Sequence, residues 1–536
     1  MSVRRAAPAP QTGKNPPDPR HYPLNSAGLI VNSPPKPSIL PGSDGLFLDS
    51  IHATCHAKRF PVQKDTIHTR NPWCLPDLVS LMSVDIRSMI TIAGIRSHRL
   101  PAIASLVLLL LLSAVAFPRN AAAAPQDPTA AGDVTPVPAD CLQQMLNEQK
   151  KTRELRDLRN PLPHPDKDTA TRQRREYLKL LTDGYNAAAD AKTVQDQLSY
   201  TLLRATEADF VSSPSNVQQL LKELESDIQR AGSNIGNPAN QLAARKKFCT
   251  DILAVARPLL ANSLDARITG ISIIKLLHEV KAVQGGALAK IHPDALTTLI
   301  DVLAAADQPD SVKVFAAGAL RHVLRNCDLI ETEQFRVCDA IATELARRCT
   351  QPAYQQTLLE ALFDIRRPRR TVGRPEPTVM KTFAAVLDDR SRPIEVRCLA
   401  AMGIGRGVFD NQMRFDPLAW KIAQLAADAS IAFNRDPGNA KWPSCGASLI
   451  FAFRHVTEPE SSAATLTDRK GLLNRSGNTP SKTIAEAAPL VKVVGIGLIR
   501  NTDRLPIDQL KPLAEWLQTG KPQSLVWDDN LPPLSP

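Results

Sequence analysis

An all-α fold of stacked helix pairs, repeating every 42 residues, is the architecture this 536-residue chain predicts. Three observations carry that prediction. The segment Val312-Lys-Val-Phe-Ala316-Ala317-Gly-Ala319-Leu320 returns 84 residues later as Val396-Arg-Cys-Leu-Ala400-Ala401-Met-Gly403-Ile404. Half that interval on from Val312 stands Tyr354, followed by Leu358, Leu359, Ala361 and Leu362 at equivalent places. The preceding helix keeps the same register: Leu296, Cys338 and Met380 align, as do Leu299, Ile341 and Phe383, and then Leu303, Leu345 and Leu387. Internal self-similarity at a fixed period is the mark of repeat architectures.

Within each copy the apolar spacing is helical. Leu296, Leu299, Ile300 and Leu303 fall at i, i+3, i+4 and i+7, on one face. Pro309 and Pro393, with their polar neighbours, break the chain before the second helix. Ala316-Ala317 and Ala400-Ala401 let that helix approach its neighbours closely. One such pair cannot bury its apolar face alone, so the units must stack into a continuous core, an α-solenoid. Composition agrees: hydrophobic residues make up 43% and aromatics only 4%, which suits Ala/Leu packing rather than a large β-sandwich.

These residues resemble HEAT repeats, whose second helix reads Val-Arg-x-x-Ala-Ala-x-Ala-Leu; Val312 to Leu320 and Val396 to Ala401 match it. The resemblance covers about residues 295–408. It implies a pairing of Asp307 with Lys313, six residues on. The third copy departs there, with Ser391 six before Arg397, and the middle copy, with Gln355, is divergent.

The rest of the chain is assigned around this core. Residues 265–457 are read as HEAT-like repeats, with looser copies at Asp265–Ile273 and at Leu418–Phe433 with Gly446–Leu449. Residues 124–264 are helical, a cap or degenerate repeats, with Ser213-Pro214 and Asn237-Pro238 as helix starts. The helix opened by Pro214 carries Val217, Leu220, Leu221, Leu224 and Ile228 and ends at Gly232. Residues 458–485 turn polar and form a linker. In the C-terminal segment, 486–536, Leu490 to Ile499 is a strand or a buried helix, and Asp508 to Thr519 is a last helix closed by Gly520.

The N-terminus predicts export. Arg87, Arg96 and Arg99 precede an apolar run from Leu106 to Leu112 that continues to Phe117. A run of about a dozen apolar residues is too short to span a bilayer, which takes about 20. Ala121-Ala122-Ala123 supplies the small residues of a cleavage site, with the cut between Ala123 and Ala124. Residues 82–123 are thus the signal region, and an uncleaved anchor is the alternative. Residues 1–81, rich in Pro and without Glu, are read as disordered or as an over-extended start; His52, Cys55 and His56 there are accidental.

Charge removes most of the footing for a nucleic-acid reading. Residues 1–123 hold 13 Lys/Arg against 6 Asp, which leaves 52 basic and 48 acidic residues in the remainder. The net charge of +11 therefore resides mostly in the segment that export would remove.

Chemistry-bearing patterns are few. Seven cysteines follow residue 123, too sparse for a disulfide framework and without zinc spacing. Most are read as buried small hydrophobes, with one or two bridges left unassigned. Gly403-Ile-Gly405-Arg-Gly407 and Gly495-Ile-Gly497 lack the Lys-Ser/Thr of a phosphate loop, and close helix packing explains Gly403. Cys445-Gly-Ala-Ser448 places Ser where a papain-type nucleophile would stand. His164, His278, His292, His322 and His455 have no metal or triad spacing. Asp388-Asp389 and Asp528-Asp529 are read as solvated loops. No catalytic, cofactor or metal residue is assigned.

Arg366, Arg367, Arg369, Arg370 and Arg374 crowd one inter-repeat loop. Their planar donor forks suit carboxylates and phosphates. The functional expectation is a non-enzymatic protein-binding scaffold, exported to the periplasm or beyond, that uses the concave face of the solenoid. The alternative is an envelope-associated binder of an anionic polymer through the Arg-rich loop, and the third is a lyase with HEAT-like repeats.

Overall fold

The computed structural model describes residues 139–536, apart from 283–285, 348, 373–374, 409, 411, 455–470, 475–479 and 501–502. The predicted start, the export signal with Ala123 and Ala124, Arg374 and His455 all lie outside the described residues. What is described falls in a unit spanning Asp127–Pro536.

Helices dominate it, in this order: α1 (Ala139–Asp157), α2 (Lys167–Asp183), α3 (Ala188–Leu203), α4 (Ala208–Val211), α5 (Pro214–Arg230), α6 (Pro238–Ala256) and α7 (Leu264–Lys275). A short antiparallel ladder follows, β1 (His278–Val280) with β2 (Lys290–Ile291), in which His278 faces Ile291. Then come α8 (Pro293–Ala304), α9 (Asp310–Asn326), α10 (Glu331–Ala346), α11 (Pro352–Leu362), α12 (Thr378–Asp388), α13 (Ile394–Arg406), α14 (Asp416–Arg435), α15 (Trp442–Phe453), α16 (Lys482–Arg500) and α17 (Ile507–Thr519). No described helix is long and apolar enough to cross a membrane.

The predicted starts are where the local chemistry puts them. Asn237 Oδ1 accepts from the Ala239 amide at 2.9 Å, and Pro238 fills the first helical position, where its missing N–H costs nothing. Pro309 and Pro393 stand at the N-caps of α9 and α13. The first of the sequence-predicted C-terminal stops, Gly232, takes φ +72°, a conformation open to glycine without strain.

Helices pack alternately in two layers. In one, α8 meets α10, α10 meets α12, and α12 meets α14; in the other, α7, α9, α11, α13 and α15 each meet the next. The aligned positions Leu296, Cys338 and Met380, with Leu299, Ile341, Phe383, Leu303, Leu345 and Leu387, are all buried between them. One continuous apolar core runs from Tyr177 to Leu534. Leu490 to Ile499 is helical, inside α16, and α16 already begins at Lys482 within the expected linker.

Glycine is what lets α13, α15 and α16 close on one another. A Cβ on Gly405 would lie 2.0 Å from the Ala452 carbonyl oxygen, and one on Gly403 would lie 2.5 Å from the Phe383 ring. Gly446 and Gly495 face each other the same way across α15 and α16. The glycines are packing contacts, as expected for Gly403. Gly405→Ala should cost at least about 1–3 kcal/mol, the usual range for overpacking, because the contact is backbone and cannot swing aside. Denaturant unfolding of that variant checks it.

The bridge that spacing left unassigned joins Cys141 on α1 to Cys349, just before α11. The other described cysteines, Cys249, Cys327, Cys338, Cys398 and Cys445, are free and buried, in keeping with their reading as small hydrophobes.

Candidate functional site

The Arg-rich loop follows α11, and the guanidinium groups of Arg366, Arg369 and Arg370 turn inward. Arg366 Nη2 donates to the carbonyls of Leu324 and Arg325 at 3.0 and 2.9 Å, which caps the C-terminus of α9. Arg369 reaches Asp410 at 2.7 Å and Asp528 at 2.5 Å, tying the segment after α13 to the C-terminal tail. Burial works against the Arg369 charge, but its hydrogen bonds to Asp410 and Asp528 win and raise its pKa. Arg370 donates to Asp339 on α10 at 2.5 Å and lies 5.2 Å from the centre of the Phe335 ring. Arg367 is exposed. Of the four described arginines, Arg366 and Arg370 therefore hold the loop to α9 and α10, and Arg369 holds it to the tail.

Those contacts correct the solvated reading for Asp528 and Asp388, whereas Asp529, 68% exposed, stays in solvent. Asp528 is wholly buried, and Asp388 accepts Lys421 Nζ at 2.7 Å together with the Ser535 amide at 2.9 Å. A buried carboxylate survives only with such partners. The partners lie far away in sequence, so local turn-like surroundings gave no sign of them.

The expected pairing of Asp307 with Lys313 is also corrected. Lys313, 1% exposed, donates to Glu344 Oε1 at 2.9 Å, 31 residues downstream. Glu344 Oε2 accepts Arg347 Nη1 at 2.6 Å and the Tyr354 hydroxyl at 2.9 Å. Burial pushes the Glu344 carboxyl up, but the Lys313 and Arg347 hydrogen bonds outweigh it and leave the pKa lowered. Arg397 likewise reaches forward 31 residues, to Asp428 at 3.3 Å. These charges fasten one helix pair to the next instead of closing a single turn.

A different set of side chains faces outward from the α9–α11–α13 layer. Phe315 on α9 is 46% exposed, and open space surrounds Gly318 one turn on. Arg321 pairs with Glu360 on α11 and lies 3.6 Å from the buried Asp364. Burial raises the Glu360 pKa, and Arg321 opposes it. Arg406 on α13 stands 5.9 Å from the centre of the Phe363 ring. An aromatic ring, paired charges and the thioether of half-buried Met402 thus share one surface. Sequence reasoning assigned none of these residues. The signal that could have found them is Gly318 at the place held by Glu360 and Met402 in the next two copies.

The described histidines make ordinary local contacts. His164 Nε2 pairs with Glu207 at 2.9 Å, and His292 Nε2 meets the Thr250 hydroxyl at 3.0 Å. His278 and His322 stack, with centroids 6.4 Å apart. Burial, then the neighbouring Lys275, His278 and Arg325, pushes His322 down to about 4. A folded pKa below the ordinary 6.5 means that the stability is present above about 6.5 and falls as pH drops towards 4. His322→Gln should remove on the order of 1–2 kcal/mol of that acid loss. Urea unfolding of both proteins at neutral pH and near the lower limit checks it; an equal acid loss in both would contradict the assignment.

Among the described residues no three His, Cys, Asp or Glu side chains are placed to hold a metal ion. No protein-family model, curated protein or solved structure matches this chain.

Proposed function

We propose that the chain is a non-enzymatic, protein-binding scaffold that acts outside the cytoplasm, an α-solenoid of HEAT-like helix pairs with a 42-residue period. The even placement of α9, α11 and α13, which begin at Asp310, Pro352 and Ile394, supports the period. The repeated 31-residue reach of Lys313 and Arg397 supports stacking of like units. The Cys141–Cys349 bridge supports export, because disulfides persist in oxidising compartments.

The observation that carries the binding role is the surface shared by Phe315, Arg321, Glu360, Met402 and Arg406. Aromatic, Met and Arg side chains are the residue types enriched where proteins meet. In this reading the α7–α9–α11–α13–α15 layer is the concave side, and a partner is held by many contacts without bond chemistry.

Affinity capture from envelope extract, with the full chain and with Phe315→Asp/Arg406→Glu, tests it. A discrete protein retained at high salt by the parent and lost by the variant is the expected result. Capture that the variant leaves unchanged would overturn the assignment of the surface. Recovery of polyanion alone, lost at high salt and in Arg367→Ser, would instead make the Arg-rich loop the site.

A further inference from the structure

We infer that a separate cavity between α15, the turn Leu472–Asn474 and α16 binds a single-chain alkyl carboxylate. The cavity measures about 370 Å³, within the range of small-molecule sites. Ile450, Phe453, Leu473 and Ile496 form its apolar walls, and Val493, 44% exposed, stands at its opening. Among the described residues its charged lining consists of Arg454 and Lys492, both cations, with no acidic side chain. An apolar chamber whose charges are all positive is complementary to a molecule with a hydrocarbon body and an anionic head.

The volume suits one aliphatic chain rather than the two of a phospholipid. Two cations, Arg454 just after α15 and Lys492 on α16, match the two oxygens of a carboxylate. None of its lining residues belongs to the scaffold surface on α9, α11 and α13.

Calorimetric titration of the full chain with octanoate, decanoate and dodecanoate, each below its micelle concentration, tests the proposal, with dodecanol as the uncharged control. Dodecanoate should bind, and each added methylene should tighten binding about fourfold. Lys492→Glu should weaken dodecanoate by more than about tenfold and leave dodecanol unchanged. Val493→Glu, at an exposed position that the fold tolerates, should abolish binding of both. Absence of dodecanoate binding, affinity independent of chain length, or an unaltered Lys492→Glu variant would each overturn the site.

Discussion

Replacement of Glu344 by Leu should lower the unfolding free energy by about 3–5 kcal/mol, because it strands a charge where water cannot reach it. Lys313 is 1% exposed, and Glu344 is its hydrogen-bond acceptor. The same change removes the acceptor of the buried Tyr354 hydroxyl and one partner of Arg347. Lys313→Met should cost less, since Glu344 keeps Arg347 and Tyr354. The double variant Lys313→Met/Glu344→Leu should be more stable than Glu344→Leu alone, because contacting partners couple. Chemical unfolding of the three variants decides the order. Equal losses for the two single variants would mean that the charge is not isolated by burial.

Loss of the Cys141–Cys349 bridge is expected to cost about 2–5 kcal/mol. Its ends are 208 residues apart, so in the loop-closure account it restricts the unfolded chain strongly. In the folded state it holds α1, whose Leu142 and Leu146 are about half exposed and supply little burial. Leu155 packs against the core, and polar ties add to it: Glu148 accepts the Asp310 amide at 3.1 Å, and Thr152 meets Ser311 at 2.9 Å. Cys141→Ser/Cys349→Ser should therefore melt at lower temperature and be cut by protease first within 139–157. Equal melting with and without reductant would contradict this.

Legibility in the sequence followed the range of the interaction. Helix faces, N-caps and the tight position at Gly403 depend on near neighbours and could be read directly. The character of Leu490–Ile499 could not: Val491, Val493, Val494 and Ile496 suit a strand or a helix equally. Close contact of Gly495 with Gly446 on α15 accompanies the helical outcome. Charge partners were the hardest. Asp528 lies 159 residues from Arg369, and no local feature marks it as buried. Glu344 was within reach, since the same forward offset recurs from Arg397 to Asp428. The Arg-rich loop was visible as a cluster, but whether its forks face solvent or the protein depends on partners that only the fold brings near.

The central claim is that a partner rests on the α9–α11–α13 surface. Hydrogen exchange of the full chain, alone and with the captured partner, tests that most directly. Slowed exchange confined to residues 310–326, 352–362 and 394–406 is the predicted result. Protection confined to α8, α10 and α12, or to the Arg-rich loop, would contradict it.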